Sequence, residues 1–474
     1  MRHQAFNPYL PLYEHIPDGE PRFFEGRVYI YGSHDRANGT FFCQEDYVAW
    51  SAPADDLGDW RCEGVIYRRG QDPADPEGKL ELFAPDVVRG PDGRYYLYYC
   101  LKMYQRISVA AADGPAGPFR FYGYVSYADG RPLTEHMPYD PAVLHDDDGQ
   151  IYLYYGFSSP VLSARYGVPI SPGAMMTRLA PDMLTALSAP RPLIPCSGAA
   201  KGTDFEGHAY FEAPSIRKLQ GRYYLVYSSE HFHELCYALS DRPDGPFCYG
   251  GVVVDNGGLG YRGRSFPVAV TGNNHGGLLD VNGRTYIFYH RHTNGNSYAR
   301  QGCAEEVSVG PDGRIPQAEL TSQGLNGGPL KAAGSVSAAI CCELYGPWAA
   351  AFLTHDTGYD RDAIAYITQA GVGETAQVYI ANMTDGTFAG YRYFDFAGPC
   401  RLDLSVRGRF DGSLALYLDD PSGEPLVCAP VRVSGDGWRD IALPLNASGV
   451  HALYIAVRGE GSLCLERLTF HPVC

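Results

Sequence analysis

Four ionisable side chains occupy the same position in a pattern that the chain repeats. Asp18, Asp140, Glu212 and His275 each lie eight or nine residues before a glycine that separates two apolar segments. Hydrolysis of a glycosidic bond needs a protonated carboxylic acid at the leaving oxygen and an ionised carboxylate that activates water. A third carboxylate nearby raises the pKa of the acid through its negative charge. If the fold brings these residues together, their types predict glycosidase chemistry.

The repeated pattern is an apolar strand, a turn centred on glycine and a tyrosine-rich strand. It occurs five times, as "PRFFEGRVYIYGS", "DVVRGPDGRYYLYYC", "AVLHDDDGQIYLYYG", "SIRKLQGRYYLVYSS" and "GLLDVNGRTYIFYHR". Each copy predicts a β-hairpin, and the turn glycines are Gly26, Gly93, Gly149, Gly221 and Gly283. Their roughly even spacing predicts an all-β chain with a five-bladed β-propeller over residues 1–325. Because the first strand of each blade lines the central axis, we expect the three carboxylates to face one another there.

The pattern leaves two alternatives open for these carboxylates. Taken singly, each carboxylate could be a solvated strand end or the cap of a turn. Glu20 also rivals Asp18, since residues two apart on an extended strand face the same side. Ungapped alignment of the first hairpin and the distance to Gly26 favour Asp18.

The composition excludes several classes of partner. Lys and Arg total 38 against 54 Asp and Glu, a net charge of -16, which argues against nucleic acid as a partner. Charged residues or prolines interrupt the apolar runs, so the sequence predicts no membrane-spanning segment. The 13 cysteines form no CxxC pairs, and the first residues show no signal-peptide pattern. We therefore expect reduced thiols and a cytoplasmic location.

The pattern changes after "ELTSQGLNGGPLKAAG". Short alternating segments follow, such as "AQVYIANM", "SLALYLDD" and "HALYIAVRG", and each is bounded by Gly, Pro, Asp or Ser. This pattern predicts a jelly-roll-like β-sandwich over residues 335–474, joined to the propeller by a glycine-rich linker at 326–334.

Residues 7 to about 325 resemble the glycoside hydrolase family 43 propellers, the inverting arabinofuranosidases and xylosidases. The resemblance is carried by "YIYGSHD", "FAPD", "YDPAVLHDDDGQIYLYYG", "FEAPSIRKLQGRYYLVYS" and "NNHGGLLDVNGRTYIFYH". It implies that Asp18 is the general base, that Asp140 positions the acid and raises its pKa, and that Glu212 is the general acid. At Asp18 the chain departs from the family, because "PDGEP" stands where "ADPS" is usual.

The resemblance also implies residues that bind the sugar. Phe83 would form an aromatic wall of the sugar site, and Arg300 would contact the sugar. His275 would be the axial histidine, which in the family often lies near a bound water or cation.

The second domain resembles the family 6 carbohydrate-binding modules through "AGYRYFDF", "GDGWRDIALPL" and "GVHALYIAVRG". This likeness implies sugar stacking on Tyr391 and Trp438, and a structural calcium site that includes Glu343. The alternative is that both aromatic residues belong to the core or an interface and that the sandwich only braces the propeller.

These features predict an exo-acting enzyme that releases arabinofuranosyl residues from arabinoxylo-oligosaccharides. It would need no cofactor, although a structural calcium ion near His275 or Glu343 would fit the resemblance. One alternative is a β-xylosidase as the main activity, and the other is a sugar-binding propeller without turnover. Three carboxylates at one register argue against the binding protein, because binding alone does not need them.

Overall fold

The computed structural model describes residues 3–167, 170–349 and 360–472. These residues form an all-β molecule in which five small sheets are followed by one large one. No helix in these three ranges has the length and apolar character needed to cross a membrane.

The first two blades are four-stranded antiparallel sheets. Blade one has the order β1 (Glu20–Phe24), β2 (Arg27–Tyr31), β3 (Tyr47–Pro53) and β4 (Arg61–Tyr67). Blade two has the order β5 (Leu82–Arg89), β6 (Tyr95–Leu101), β7 (Ile107–Ala112) and β8 (Arg120–Tyr124).

The third blade is a more elaborate sheet of six strands. Its strands are β9 (Ser126–Tyr127), β10 (Ala142–His145), β11 (Ile151–Tyr155), β12 (Gly173–Leu179), β13 (Thr185–Ala186) and β14 (Arg191–Pro195). A short helix, α1 (Pro160–Tyr166), lies between β11 and β12.

The last two blades complete the ring. Blade four contains β15 (Tyr210–Leu219), β16 (Arg222–Ser229), β17 (Glu234–Ser240) and β18 (Cys248–Asp255). Blade five follows a 3-10 turn at Tyr261–Gly263 and contains β19 (Leu278–Val281), β20 (Arg284–His292) and β21 (Arg300–Val307). The innermost strands contact one another in the order β1, β5, β10, β15, β19 and back to β1, which closes the propeller. The predicted five-bladed fold is confirmed.

Tyrosines of the tyrosine-rich strands connect some neighbouring blades. The Tyr31 hydroxyl of blade one donates to the Pro115 carbonyl of blade two at 2.7 Å. The Tyr154 hydroxyl of blade three donates to the Pro243 carbonyl of blade four, also at 2.7 Å. Both prolines belong to similar phrases, "DGPAGPF" and "DRPDGPF". A tyrosine buries a large ring and still satisfies its hydroxyl, so this residue type suits the space between blades.

The turn glycines are required by backbone conformation rather than by space. Gly26 and Gly283 have φ of 79° and 74°, and an added Cβ at either would meet no atom within 4 Å. A side chain would fit in each turn, but the left-handed conformation disfavours any residue with a Cβ.

The second domain is a nine-stranded sheet system that folds over one apolar core. Its strands are β22 (Leu330–Lys331), β23 (Gly334–Ser337), β24 (Glu343–Tyr345), β25 (Tyr366–Ala370), β26 (Gln377–Met383), β27 (Phe388–Phe396), β28 (Cys400–Leu418), β29 (Val427–Leu445) and β30 (Gly449–Pro472). Three 3-10 turns lie at Gly324–Asn326, Ala338–Ile340 and Gly373–Thr375. Alternate residues of β28, such as Leu402 and Leu404, are buried in the core, as expected of strands with one solvated face.

The predicted linker at 326–334 needs correction. Within it, β22 pairs in parallel with Phe394 and Asp395 of β27, so part of this segment belongs to the second sheet. The glycines of "GLNGGPLKAAG" are typical of a linker, but Leu330 within this stretch is fully buried in the core of the second domain.

Candidate active site

The predicted site residues meet at one end of the propeller axis. Asp18 and Asp140 lie two residues before β1 and β10, Glu212 lies near the start of β15, and His275 precedes β19. The charges of Asp18, Asp140 and His275 all act on Glu212, so the four residues lie close to one another, and the space between them is the candidate pocket.

The backbone close to these site residues is unusual in four of the five blades. Asp18, Ala84, Asp140 and Ala213 all have positive φ, of 56°, 32°, 49° and 62°. The β15–β16 register also shifts on both sides of Glu212. A left-handed non-glycine residue costs roughly 1 to 3 kcal/mol, and bulges of this kind commonly re-aim side chains at functional sites. The strain is therefore concentrated where the carboxylates turn towards the axis.

Asp18 lies on the basic side of the pocket. Arg300 Nη1 donates to its Oδ1 at 2.9 Å, and His290 Nδ1 lies 3.5 Å from the same oxygen. Burial acts to raise the pKa of Asp18, but the positive charge of Arg300 and the two nearby histidines outweigh burial and hold that pKa below its ordinary value. Asp18 is therefore ionised at neutral pH.

Arg300 is itself held in place by a second carboxylate. Its Nε and Nη2 donate to the two oxygens of Asp35 at 2.8 and 3.0 Å, and its guanidinium lies 4.9 Å from the centre of the Phe42 ring. Asp35 is a site residue that the sequence analysis did not identify. Asp35 ends the quoted motif "YIYGSHD", which is the signal that could have indicated it.

Asp140 and Glu212 lie on the opposite, apolar side. Burial, followed by the charge of Asp18, raises the pKa of Asp140 to about 6, against the opposing effect of His275. Burial and then the charge of Asp140 raise the pKa of Glu212 well above its ordinary value. Glu212 is therefore protonated where Asp18 is ionised.

An arc of aromatic rings provides this apolar surface. Phe83, Tyr139, Phe157, Phe211 and Phe232 contact one another in sequence, with ring centres 5.6, 5.7, 5.3 and 4.4 Å apart. Two members of this aromatic arc directly precede Asp140 and Glu212 in the chain. Phe83 packs against this arc, and its role as a wall of the sugar site stays a prediction.

Glu20, the alternative to Asp18, lies two residues further along the chain and is paired with Arg217. Arg217 Nη2 donates to Glu20 Oε2 at 2.5 Å and the Ser215 hydroxyl donates to it at 3.0 Å. Burial acts to raise the pKa of Glu20, but Arg217 and His275 lower it to about 2. A side chain at Gly277 would not fit beside this pair, since an added Cβ would lie 2.4 Å from Ser215 Oγ. Glu20 is thus ionised and held by Arg217 beside the pocket.

His275 lies between Glu20 and the two aspartates of the pocket. Its Nε2 is 3.8 Å from Glu20 Oε1, and Asp18 and Asp140 lie near it. Burial acts to lower the pKa of His275, but these carboxylates raise it to about 9. A protonated His275 therefore offsets part of the negative charge of the carboxylates.

The predicted calcium site at Glu343 is wrong. Glu343 Oε1 lies 3.0 Å from Arg264 and 2.9 Å from Arg392, so two guanidinium groups already neutralise this carboxylate. Arg264 belongs to the segment between β18 and β19, so this ion pair also connects the two domains.

The predicted sugar-stacking residues of the sandwich differ from each other. Tyr391 is 0% exposed and its hydroxyl donates to the Ala338 carbonyl at 3.0 Å, so it is a core residue and that prediction is wrong. Trp438 is partly exposed, with the Arg407 guanidinium 4.5 Å from its ring centre and Tyr379 against its edge. Sugar stacking on Trp438 stays a prediction.

Comparison with known proteins agrees with this geometry. The model of glycosyl hydrolases family 43 matches residues 25–315. A xylosidase/arabinosidase of Thermoclostridium stercorarium is 47% identical over 478 residues, which cover 99% of both chains.

Solved structures extend the comparison to the fold. A family 43 β-xylosidase/α-arabinofuranosidase from a compost microbial metagenome, solved with xylotriose in a calcium-free form, is 28% identical with a TM-score of 0.53, and the match covers 67% of this chain and 97% of that one. The family 43 arabinoxylan arabinofuranohydrolase of Bacillus subtilis, solved with cellotetraose, is 22% identical with a TM-score of 0.53 and covers 98% of this chain and 97% of its own. The second match shows the fold over nearly the whole chain. Since the family model spans more than half of the chain and the full-length relative shares almost half of its residues, the chain belongs to glycosyl hydrolase family 43 and is a glycosidase.

Proposed function

We propose that this enzyme is an inverting, exo-acting glycosidase that releases arabinofuranosyl or xylosyl residues from arabinoxylan-derived oligosaccharides. The observation that carries the proposal is the opposite electrostatic setting of Asp18 and Glu212 around one pocket. Arg300 keeps the first carboxylate ionised, while burial and Asp140 keep the second protonated. An ionised base and a protonated acid are the two groups that inverting hydrolysis requires.

The reaction follows from these protonation states. Glu212 donates its proton to the glycosidic oxygen as the bond to the anomeric carbon breaks, and Asp18 removes a proton from the water that attacks the opposite face of the sugar. Asp140 keeps the pKa of Glu212 high. Proton exchange with solvent then returns both carboxyl groups to their starting states.

The relatives guide the substrate class. The Thermoclostridium stercorarium relative is a xylosidase/arabinosidase, and the metagenomic relative is a β-xylosidase/α-arabinofuranosidase, so both sugars belong to the proposal. We favour arabinofuranosides as the main substrate, because a propeller followed by a sandwich resembles the arabinoxylan-debranching members. A β-xylosidase is the second candidate, favoured by the xylotriose-bound relative.

Three further expectations remain predictions. No obligatory cofactor is part of this proposal, and a structural calcium ion near His275 stays a prediction. Sugar binding by the sandwich now rests on Trp438. A cytoplasmic location would imply short, imported substrates.

The test measures hydrolysis of 4-nitrophenyl α-L-arabinofuranoside and β-D-xylopyranoside by the wild type and by Asp18→Asn, Glu212→Gln and Glu20→Gln. We expect Asp18→Asn to lose about 10²- to 10⁴-fold in kcat on all substrates, because no base activates the water. Glu212→Gln should lose activity mainly on oligosaccharides and much less on a 2,4-dinitrophenyl glycoside, whose leaving group needs no proton. NMR of the first sugar released should show the inverted anomer.

Glu20→Gln is the matched control. Its folded fraction should keep its activity, although the loss of the Arg217 partner lowers its thermal stability. A folded wild type without activity on either sugar would contradict the proposal. A base role for Asp18 would be refuted if Glu20→Gln, once corrected for folding, lost activity as Asp18→Asn does.

A further inference from the structure

The position of Arg300 depends on the loop that precedes it. Arg300 begins β21, and residues 293–299 connect this strand to β20. The loop is closed at its base because the Thr293 N–H and hydroxyl both donate to the Ala299 carbonyl, at 3.0 and 2.6 Å. Any displacement of this loop therefore acts on the backbone next to Arg300.

Asn294 connects this loop to two other parts of the molecule. Its Nδ2 donates to the Ala37 carbonyl of blade one at 2.9 Å. Its Oδ1 accepts from the Thr368 hydroxyl at 2.9 Å, and its backbone N–H donates to the Ile367 carbonyl at 2.6 Å. Ile367 and Thr368 belong to β25 of the sandwich, so all three contacts meet at one buried residue.

The blade-one segment reached through Ala37 also touches Arg300. It continues to Phe41 and Phe42, which pack against Tyr298 with ring centres 5.8 and 4.8 Å apart. The Arg300 guanidinium lies over the Phe42 ring. The two segments that hold Arg300 are therefore both attached to Asn294, and Asn294 is attached to the sandwich.

We propose that strand β25, acting through Thr368 and Asn294, positions Arg300 against Asp18, so that the second domain is a positioning element of the active site. This inference rests on the proposed function, because the Arg300–Asp18 contact matters to catalysis only if Asp18 is the base. It assigns the sandwich a role that needs no sugar bound to it.

The test uses the full chain and two variants of the contact. Thr368→Val removes the hydroxyl and keeps a β-branched residue in the strand. Asn294→Gly removes the amide and keeps the left-handed backbone, whose φ at Asn294 is 58°. Thr469→Val is the matched control, since its hydroxyl bonds only Ser335 of the sandwich, at 2.9 Å, among the contacts described.

We expect both variants to lower kcat/KM on the order of tenfold, because small displacements of catalytic groups are costly. With Arg300 less well placed, the pKa of Asp18 rises, so the acidic limb of the kcat/KM profile moves to higher pH. Hydrogen–deuterium exchange should become faster in residues 293–300. The control should match the wild type in all three measurements.

Variants with a wild-type acidic limb and wild-type exchange in residues 293–300 would overturn the inference. If Asn294→Gly fails to fold, Thr368→Val decides alone. If the wild type hydrolyses neither glycoside, the proposed function fails, and exchange in residues 293–300 still decides whether β25 holds this loop.

Discussion

Asp18 and Asp140 are both aspartates with 4% of their surface exposed, and they face the same pocket, yet their pKa values move in opposite directions. Asp18 has a guanidinium nitrogen 2.9 Å away on the side formed by blades one and five. Asp140 adjoins the aromatic arc of blades two to four. Burial acts to raise both pKa values, so the partner and not the burial decides which carboxylate stays ionised.

This contrast explains how one pocket holds both a base and an acid. Arg300 is supported by Asp35, which leaves the basic side fully paired. On the acidic side, burial and the charge of Asp140 outweigh the opposing charge of His275 at Glu212. Changing one side at a time should therefore shift one limb of the pH profile and leave the other in place.

The largest effect is expected from Arg300→Lys on the basic side. A lysine ammonium cannot reproduce the planar set of bonds from Nε, Nη1 and Nη2 to Asp35 and Asp18, so the pairing of these buried carboxylates is weakened. We expect kcat/KM to fall about 100-fold, in line with the geometric precision that catalysis demands. The acidic limb should move to higher pH, since the base must be ionised and its pKa rises. The pH dependence of kcat/KM measures both.

Arg291→Lys provides the matched control in the same blade, because Arg291 bonds the Cys341 and Ala339 carbonyls rather than Asp18. Its profile should keep the wild-type acidic limb. An unshifted acidic limb in Arg300→Lys would show that the guanidinium does not set the protonation state of Asp18.

Asp140→Asn changes the acidic side. Removing this charge lowers the pKa of Glu212, and because the acid works only when protonated, the basic limb should move to lower pH by about one unit. The pKa of Asp140 is raised to about 6 in the folded protein, so its ionised form destabilises the fold above that pH. The variant should consequently have a higher Tm than the wild type at pH 7 and above.

Asp146→Asn is the control for this change. Asp146 belongs to blade three, but it pairs with Lys218 and accepts from the Tyr223 hydroxyl, away from the axis. The variant Asp146→Asn should have a lower Tm than the wild type and an unchanged basic limb. If the basic limb stays in place in Asp140→Asn, then Asp140 does not set the pKa of Glu212.

The smallest effect is expected from Phe157→Leu in the aromatic arc. A smaller side chain admits water beside Glu212 and weakens the effect of burial on its pKa. The basic limb should move to lower pH by a few tenths of a unit, measured on the same substrate. Phe119→Leu, a buried change in the blade-two core, should lower the Tm without moving either limb. Equal profiles for the two variants would mean that the arc does not tune the acid.

The two wrong site predictions in the second domain rested on its resemblance to carbohydrate-binding modules. The resemblance implied sugar stacking at Tyr391, but β27 turns this side chain into the core. It also implied a calcium ligand at Glu343, but Arg264 and Arg392 neutralise this carboxylate from two different parts of the chain. Such partners have no local signal in the sequence.

The sequence by itself determined the five hairpins, the turn glycines and the register of the axial carboxylates, because turn conformation and strand alternation are local properties of the chain. Only the tertiary structure decided which carboxylate is ionised. Arg300 is 282 residues away from Asp18, and the aromatic arc beside Glu212 is assembled from three blades. A pKa depends on the charges and solvent that surround a group in space, and the closed ring is what brings those groups together.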